Sequence, residues 1–175
     1  MLITPRLILR PLTIGDTDQQ FDVLRDPAVS ASIGVFKQPF TRDQAEQWCV
    51  AAEQFHATGT GLLCNIFEKQ TGQSVGYVGT AVSDPSLAKD GIWEVGYWLR
   101  KDRWGRGYVP EALDGVTKEA TAKFNLKGFF AELAKSNTNS ARVVEKSGFS
   151  LRDEFLKATP DNPQRPSYRY FRCTI

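Results

Sequence analysis

The chain has 175 residues, 41% of them hydrophobic, enough to bury one core and within the size of a single domain spanning 1–175. Its 22 basic and 20 acidic residues are spread along the chain for a net charge of +2, without the dense basic stripe of a nucleic-acid binder. Cys49, Cys64 and Cys173 are far apart and lack Cys-x-x-Cys or histidine partners, which argues against a disulfide framework or a metal site, and the N-terminal segment is too mixed for a signal peptide or membrane span; a soluble, cytoplasmic protein is expected.

Residues 5–12 read as a strand. Thr13 followed by Asp16 marks a helix start, and the helix should run to about Arg25, stopped by Asp26-Pro27. Thr41 with Gln44 three residues on forms a capping box, and Ala45, Trp48, Cys49, Ala52 and Phe55 then share one helical face, with Trp48 and Phe55 expected in the core. His56, the only histidine, falls in the last turn, where a surface position or an interaction with the helix dipole is the simplest reading. Gly59-Thr60-Gly61 ends the helix. Strands at 62–68 and 74–82 flank a hairpin turn at 69–73, a polar loop opened by Asp84-Pro85 follows, and a third long strand covers 92–99.

Beyond that strand comes Trp104-Gly105-Arg106-Gly107-Tyr108, and then an amphipathic helix with Leu113, Val116, Ala120 and Phe124 at helical spacing. Further on, the sequence predicts a strand at 128–134, a short helix at 139–147 ending at Gly148, and a strand at 150–157. A loop with three prolines between Thr159 and Pro166 then precedes a last strand at 168–173, where Tyr168 and Tyr170 read as sheet positions. This order supports a mixed sheet with helices on both faces.

The two glycines between a strand and a helix remove side chains where a backbone would approach a phosphate, and the loop N–H groups can turn inward toward it. A tight strand-to-helix turn alone also accounts for a bare Gly-x-Gly. No Gly-Lys-Ser or Gly-Lys-Thr follows, which excludes a Walker loop, and Pro110 occupies the third glycine position of a dinucleotide fingerprint.

Taken with its neighbours, the loop resembles that of the GCN5-related N-acetyltransferases (GNAT), in particular their RimJ/RimL-type branch. Thr4-Pro5-Arg6-Leu7-Ile8-Leu9-Arg10-Pro11-Leu12 is similar to the family's first strand, Ser74-Val75-Gly76-Tyr77-Val78-Gly79 to its central hairpin strand, and Glu94-Val95-Gly96-Tyr97-Trp98-Leu99 to its fourth. The run from Asn137 to Phe149, ending Glu145-Lys146-Ser147-Gly148-Phe149, is similar to its second cofactor-side motif. The resemblance implies an α/β (α+β) fold with a mixed, mostly antiparallel seven-stranded sheet. It also implies acetyl-CoA as cofactor and a primary amine as acceptor, either a protein or peptide N-terminus or a small molecule.

By the same resemblance, backbone N–H groups of Gly105, Arg106, Gly107, Tyr108 and Val109, with Trp104 beside them, would hold the pyrophosphate, and Arg103 and Arg106 would add charge that could equally be solvated. Tyr97, Trp98 and Leu99 on the splayed fourth strand, with Asn137 and Ser140, would hold the pantetheine arm. Glu94, a carboxylate among aromatic neighbours, is the candidate base, with a salt-bridged rim glutamate as the plain alternative. Ser140 is the candidate acid for the departing thiolate, although a first-turn serine is ordinary, and Asn137 is independently suited to be an N-cap. The tyrosine that many relatives use as acid is replaced by Val144. Gly96 is expected to mark a bulge whose N–H groups face the thioester carbonyl. Val109 and Pro110 depart from the family pattern, Pro110 being expected at the first helical position with one phosphate donor lost. The acceptor should enter between 13–58 and 158–167. A non-catalytic acyl-CoA-binding or sensing module is the alternative, and both monomer and homodimer remain open.

Overall fold

The computed structural model describes residues 1–174. Eight strands form one sheet: β1 (Leu2–Ile3), β2 (Leu7–Pro11), β3 (Gly61–Glu68), β4 (Ser74–Ala81), β5 (Ile92–Leu99), β6 (Gly128–Ala134), β7 (Ser150–Thr159) and β8 (Asn162–Cys173), in the order β1-β2-β3-β4-β5-β6-β8-β7. Six α-helices accompany it: α1 (Thr17–Leu24), α2 (Pro27–Ser30), α3 (Arg42–Thr58), α4 (Pro85–Lys89), α5 (Tyr108–Phe124) and α6 (Thr138–Lys146). Every neighbouring pair is antiparallel except β5 and β6. The architecture is the expected one with one strand added, because the two-residue β1 folds back onto Ile8 and Leu9.

The sheet divides the core in two. Against one face, α5 lays Val109, Ala112, Leu113, Val116 and Ala120 over Leu9, Cys64, Ile66, Val78 and Val95. Leu113 is fully buried, and truncating such a leucine to alanine typically costs about 2–5 kcal/mol. Against the other face, α1–α3 pack Val23, Leu24, Ala45, Cys49 and Ala52 onto Leu63, Tyr77 and Trp98, with Trp48 and Phe55 at the border. The capping box at Thr41 and Gln44 is present, and Gly59 closes α3 in the left-handed region at φ 68°. His56 is not free at the surface: its Nε2 lies 2.8 Å from the Leu63 carbonyl, tying α3 to β3.

Three local expectations are corrected. Asp26-Pro27 does end the first helical stretch, but it also starts α2, because the Asp26 carboxylate accepts from Ala28 N at 2.9 Å and proline suits a first helical turn. The same chemistry at Asp84-Pro85 builds α4 inside the presumed loop. The proline-rich stretch 159–166 is a hairpin rather than a loop, with Thr159 paired to Asn162. There β8 has run past β6, whose pairing stops at Ser167, so Pro163 and Pro166 sit on a strand with an open side where a missing N–H breaks no ladder.

Candidate active site

The site begins where β5 and β6 part. Their parallel pairing covers only Ile92, Trp93 and Glu94 against Gly128, Phe129 and Phe130. Past Glu94 the two strands splay, leaving the β6-facing backbone groups of Val95–Leu99 without ladder partners. A cleft of about 700 Å³ opens there, walled by Tyr97, Leu99, Trp104, Gly107, Asn137 and Ser140, and it reaches through to Val29 on the opposite face.

The glycine loop forms one end of this cleft. Gly105 and Gly107 both adopt left-handed φ, 73° and 74°, and a side chain at Gly105 would meet open space. The N–H groups of Gly105, Arg106 and Gly107 donate to no backbone carbonyl among the described residues, and Tyr108 and Val109 follow in the first turn of α5, where N–H groups have no intrahelical partner. Pro110 falls at the third helical position, not the first. It still breaks no intrahelical bond, but it does remove one N–H from the helix mouth.

Two ion-pair systems that the sequence reading missed fix this loop from behind. Arg6, just before β2, pairs with Glu111 at 2.6 Å and donates to the carbonyls of Arg106 at 2.7 Å and Gly107 at 3.2 Å, with its guanidinium 4.8 Å from the Tyr108 ring. Carbonyls drawn back to Arg6 leave the N–H groups of the same peptides to face the other way. Glu111 also accepts from Thr4 Oγ1 and Arg6 N; burial alone would raise its pKa, but these hydrogen bonds hold it below the ordinary carboxylate range. At the side of the loop, Glu68 at the end of β3 accepts from the Tyr108 hydroxyl at 2.6 Å, from Thr71 at 2.8 Å and from Arg103 at 3.3 Å, and its pKa is lowered, first of all by the Tyr108 bond.

These contacts change the reading of the two arginines. Arg103 lines the cleft, but its terminal nitrogens are taken by Asp102 at 2.7 Å and Glu68 at 3.3 Å, while its buried Nε has no partner. Arg106 is exposed and does not line the cleft. The only sequence trace of the bracing was the Thr4-Pro5-Arg6-Leu7 opening, since its partner Glu111 lies more than a hundred residues on.

On the wall formed by α6, the Asn137 carboxamide oxygen caps the helix by accepting from Ser140 N at 3.1 Å. Tyr97 donates its hydroxyl hydrogen to the Ser140 carbonyl at 3.3 Å. Burial pushes the Tyr97 phenol up to about 12, while hydrogen bonding at Ser140 pulls the other way, so it stays protonated at neutral pH. Ser140 itself is half-buried at the cleft. Trp98 borders the cleft too, but its indole turns to the α1–α3 face and donates from Nε1 to Gln20 at 2.9 Å.

Glu94 points to that same face, in register with Ala81 and two residues from the facing pair Gly79 and Gly96. Burial raises its pKa above the ordinary carboxylate value, against a lowering hydrogen bond from Ser83 and the nearby Lys157. Glu132 also lies in range, but Lys157 and Arg169 pair with it at the splayed strand. Gly96 carries no bulge: β4 and β5 stay in continuous register from Gly76–Leu99 to Ala81–Glu94, with Gly79 facing it across the ladder. Among the described residues no group of three metal-ligating side chains occurs, and no helix is long and apolar enough to cross a membrane.

A strand splay beside an N–H-lined glycine loop is a two-substrate arrangement, and comparison with known proteins identifies it. Residues 6–150 match the family model of the acetyltransferase (GNAT) domain. The chain belongs to the GNAT acetyltransferase family. It is 27% identical over 149 residues to the uncharacterized N-acetyltransferase p20 of Bacillus licheniformis, covering 85% of this chain and 81% of that protein. Its fold superposes with a TM-score of 0.80 on RimL, the ribosomal L7/L12 alpha-N-protein acetyltransferase, in complex with coenzyme A, at 15% identity and covering 98% and 96% of the two chains. The microcin C7 self-immunity acetyltransferase MccE, in complex with acetyl-CoA and AMP, gives 0.80 at 16% identity, covering 97% and 93%. This GNAT protein is therefore an acetyl-CoA-dependent N-acetyltransferase acting on an amine acceptor.

Proposed function

We propose that this single-domain GNAT enzyme transfers acetyl from coenzyme A to the primary amine of a protein or peptide N-terminus, with small-molecule amines as the second acceptor class, in the cytoplasm. The observation that carries the reading is the parting of β5 and β6 at Glu94, which sets a carboxylate on one face of the sheet and Ser140 with Asn137 on the other. The acyl donor supplies an activated thioester; the chain supplies its grip and the proton transfers.

In this reading the N–H groups of residues 105–109 receive the diphosphate, the splayed strand at Tyr97, Trp98 and Leu99, whose β6-facing backbone groups have no ladder partner, holds the pantetheine arm with the Asn137 amide, and Trp104, which donates from Nε1 to the Leu99 carbonyl at 2.8 Å, walls the nucleotide end. Gly105 supports the fit, since a Cβ there would stand in the open cradle. Glu94 removes a proton from the attacking amine, directly or through water. The amine nitrogen bonds to the acetyl carbon, the carbon–sulfur bond breaks with its electron pair left on sulfur, and Ser140 passes a proton to that thiolate. N–H groups of the splayed strand receive the oxyanion, with no bulge needed to expose them. A pKa raised by burial suits Glu94 to this task better than to a rim salt bridge, which disfavours the acyl-CoA-binding alternative. Thiol release from acetyl-CoA in the presence of peptides and small amines tests the proposal: turnover with at least one acceptor is expected, and bound cofactor without turnover for any would contradict it.

A further inference from the structure

The acceptor face holds a polar group that the mechanism above leaves unused. Tyr77, Gly79 and Ala81 on β4 stand in register with Trp98, Gly96 and Glu94 on β5, so all six share the face turned to α1–α3. Tyr77 is 4% exposed, and its ring is held from several sides: it stacks on Trp98 at 4.1 Å between centroids and 24° between planes, and meets Trp48 edge-on at 5.5 Å. That stack aims the phenol along the strand toward the glycines. Its hydroxyl lies 2.5 Å from where a Cβ of Gly79 would be, so only glycine leaves it room. A Cβ on Gly96, across the ladder, would meet nothing but the Tyr77 ring edge at 3.8 Å. The paired glycines thus make a bare floor, with the hydroxyl at one end and the Glu94 carboxylate one pair further on.

The hydroxyl has no hydrogen-bond partner among the described residues, although the residue is buried. Unlike the nitrogens of Trp48 and Gln20, this oxygen is not sealed from the surface, so the bare floor leaves it open to a hydrogen-bonding partner that arrives with the substrate. Burial, then Cys64 and Glu94, keep the phenol protonated well above its ordinary pKa, so at neutral pH its oxygen offers lone pairs and is no base.

We propose that the Tyr77 hydroxyl is an acceptor-contact group that receives one N–H of the incoming amine while Glu94 removes the other proton. The division balances for a primary amine. Nitrogen forms the bond to the acetyl carbon, sulfur keeps the electron pair of the broken bond, one N–H proton goes to Glu94, and the remaining N–H becomes the amide hydrogen bonded to Tyr77. A secondary amine has one N–H and cannot satisfy both groups, so the pair selects primary amines. This rests on the assignment of Glu94 as base.

The test compares wild type, Tyr77→Phe and Gly96→Ala with short peptides and small primary amines, each beside its N-methyl counterpart. Tyr77→Phe keeps the stack and should leave the melting temperature and coenzyme A affinity unchanged. It should lower kcat/KM for primary amines about tenfold, the usual size for a lost contact to a reacting group, and shrink their advantage over N-methyl amines. Gly96→Ala, which the backbone accepts, should lower kcat/KM by filling the floor. An unchanged primary-to-secondary ratio in Tyr77→Phe would overturn this inference alone. Full activity in Glu94→Gln would strike the base assignment and this inference with it, and no turnover by wild type on any amine would overturn both together with the proposed acceptor class.

Discussion

The two sides of the splay are built differently. On the side proposed for the cofactor, the groups on offer are backbone N–H donors, held by charged side chains behind them: Arg6 on the carbonyls of Arg106 and Gly107, and Glu68 on Tyr108 and Arg103. On the side proposed for the acceptor, the groups on offer are side chains set in an aromatic cluster of Phe36, Trp48, Tyr77 and Trp98, and some stay unpaired, as at Trp48 Nε1 and Gln20 Nε2. A ligand shared across a family can be met by main chain that many sequences reproduce, whereas a ligand peculiar to one enzyme must be met by side chains.

If that contrast holds, damage to the two sides should separate cleanly. The largest effect is expected from Glu94→Gln, which should lower kcat by roughly 10²–10⁴, the usual share of acid–base catalysis, and leave coenzyme A affinity within about twofold. In wild type, kcat/KM should rise with pH through a pKa above the ordinary carboxylate range, because burial favours the neutral acid and only the carboxylate can take a proton; the variant should lose that limb. The same raised pKa means the folded state holds its proton longer than the unfolded chain. Glu94 therefore costs stability as pH climbs past the ordinary carboxylate value, and thermal melts of Glu94→Gln should show less of that loss.

Gly107→Val should come next, with coenzyme A affinity falling about a hundredfold in calorimetry, since a β-branched residue resists the left-handed φ and its side chain would press on Arg6. Turnover of acetyl-pantetheine, which lacks the diphosphate, should suffer much less. Arg6→Ala should weaken coenzyme A binding about tenfold, the scale of charge-assisted hydrogen bonds lost from the loop, again sparing acetyl-pantetheine. Equal losses for both donors would mean that Arg6 holds the fold and not the loop. Smallest of all, Pro110→Ala restores one N–H at the helix mouth and should tighten coenzyme A binding by about two- to fivefold, within the range of a single net hydrogen bond.

Legibility in the sequence follows the same division. Features written in neighbouring residues could be read directly: the Thr41 and Gln44 cap, the two glycines of the loop, and Asn137 as cap of α6. Features that depend on a distant partner could not. Nothing local tells that Arg6 finds Glu111, that Glu68 finds Tyr108, or that Arg103, beside its neighbour Asp102, also meets Glu68. Pro163 and Pro166 looked like loop because their tolerance depends on β6 stopping at Ser167. Gly96 looked like a bulge because the register that excludes one is set by pairing with β4, a separate strand.

The central claim is that the diphosphate of coenzyme A rests against main-chain N–H groups of residues 105–109, and amide chemical shifts followed during a titration with coenzyme A test it most directly. The account predicts large downfield shifts for the amides of Gly105, Arg106 and Gly107, absent when pantetheine replaces the nucleotide. Saturable binding that leaves those amides unmoved would contradict it.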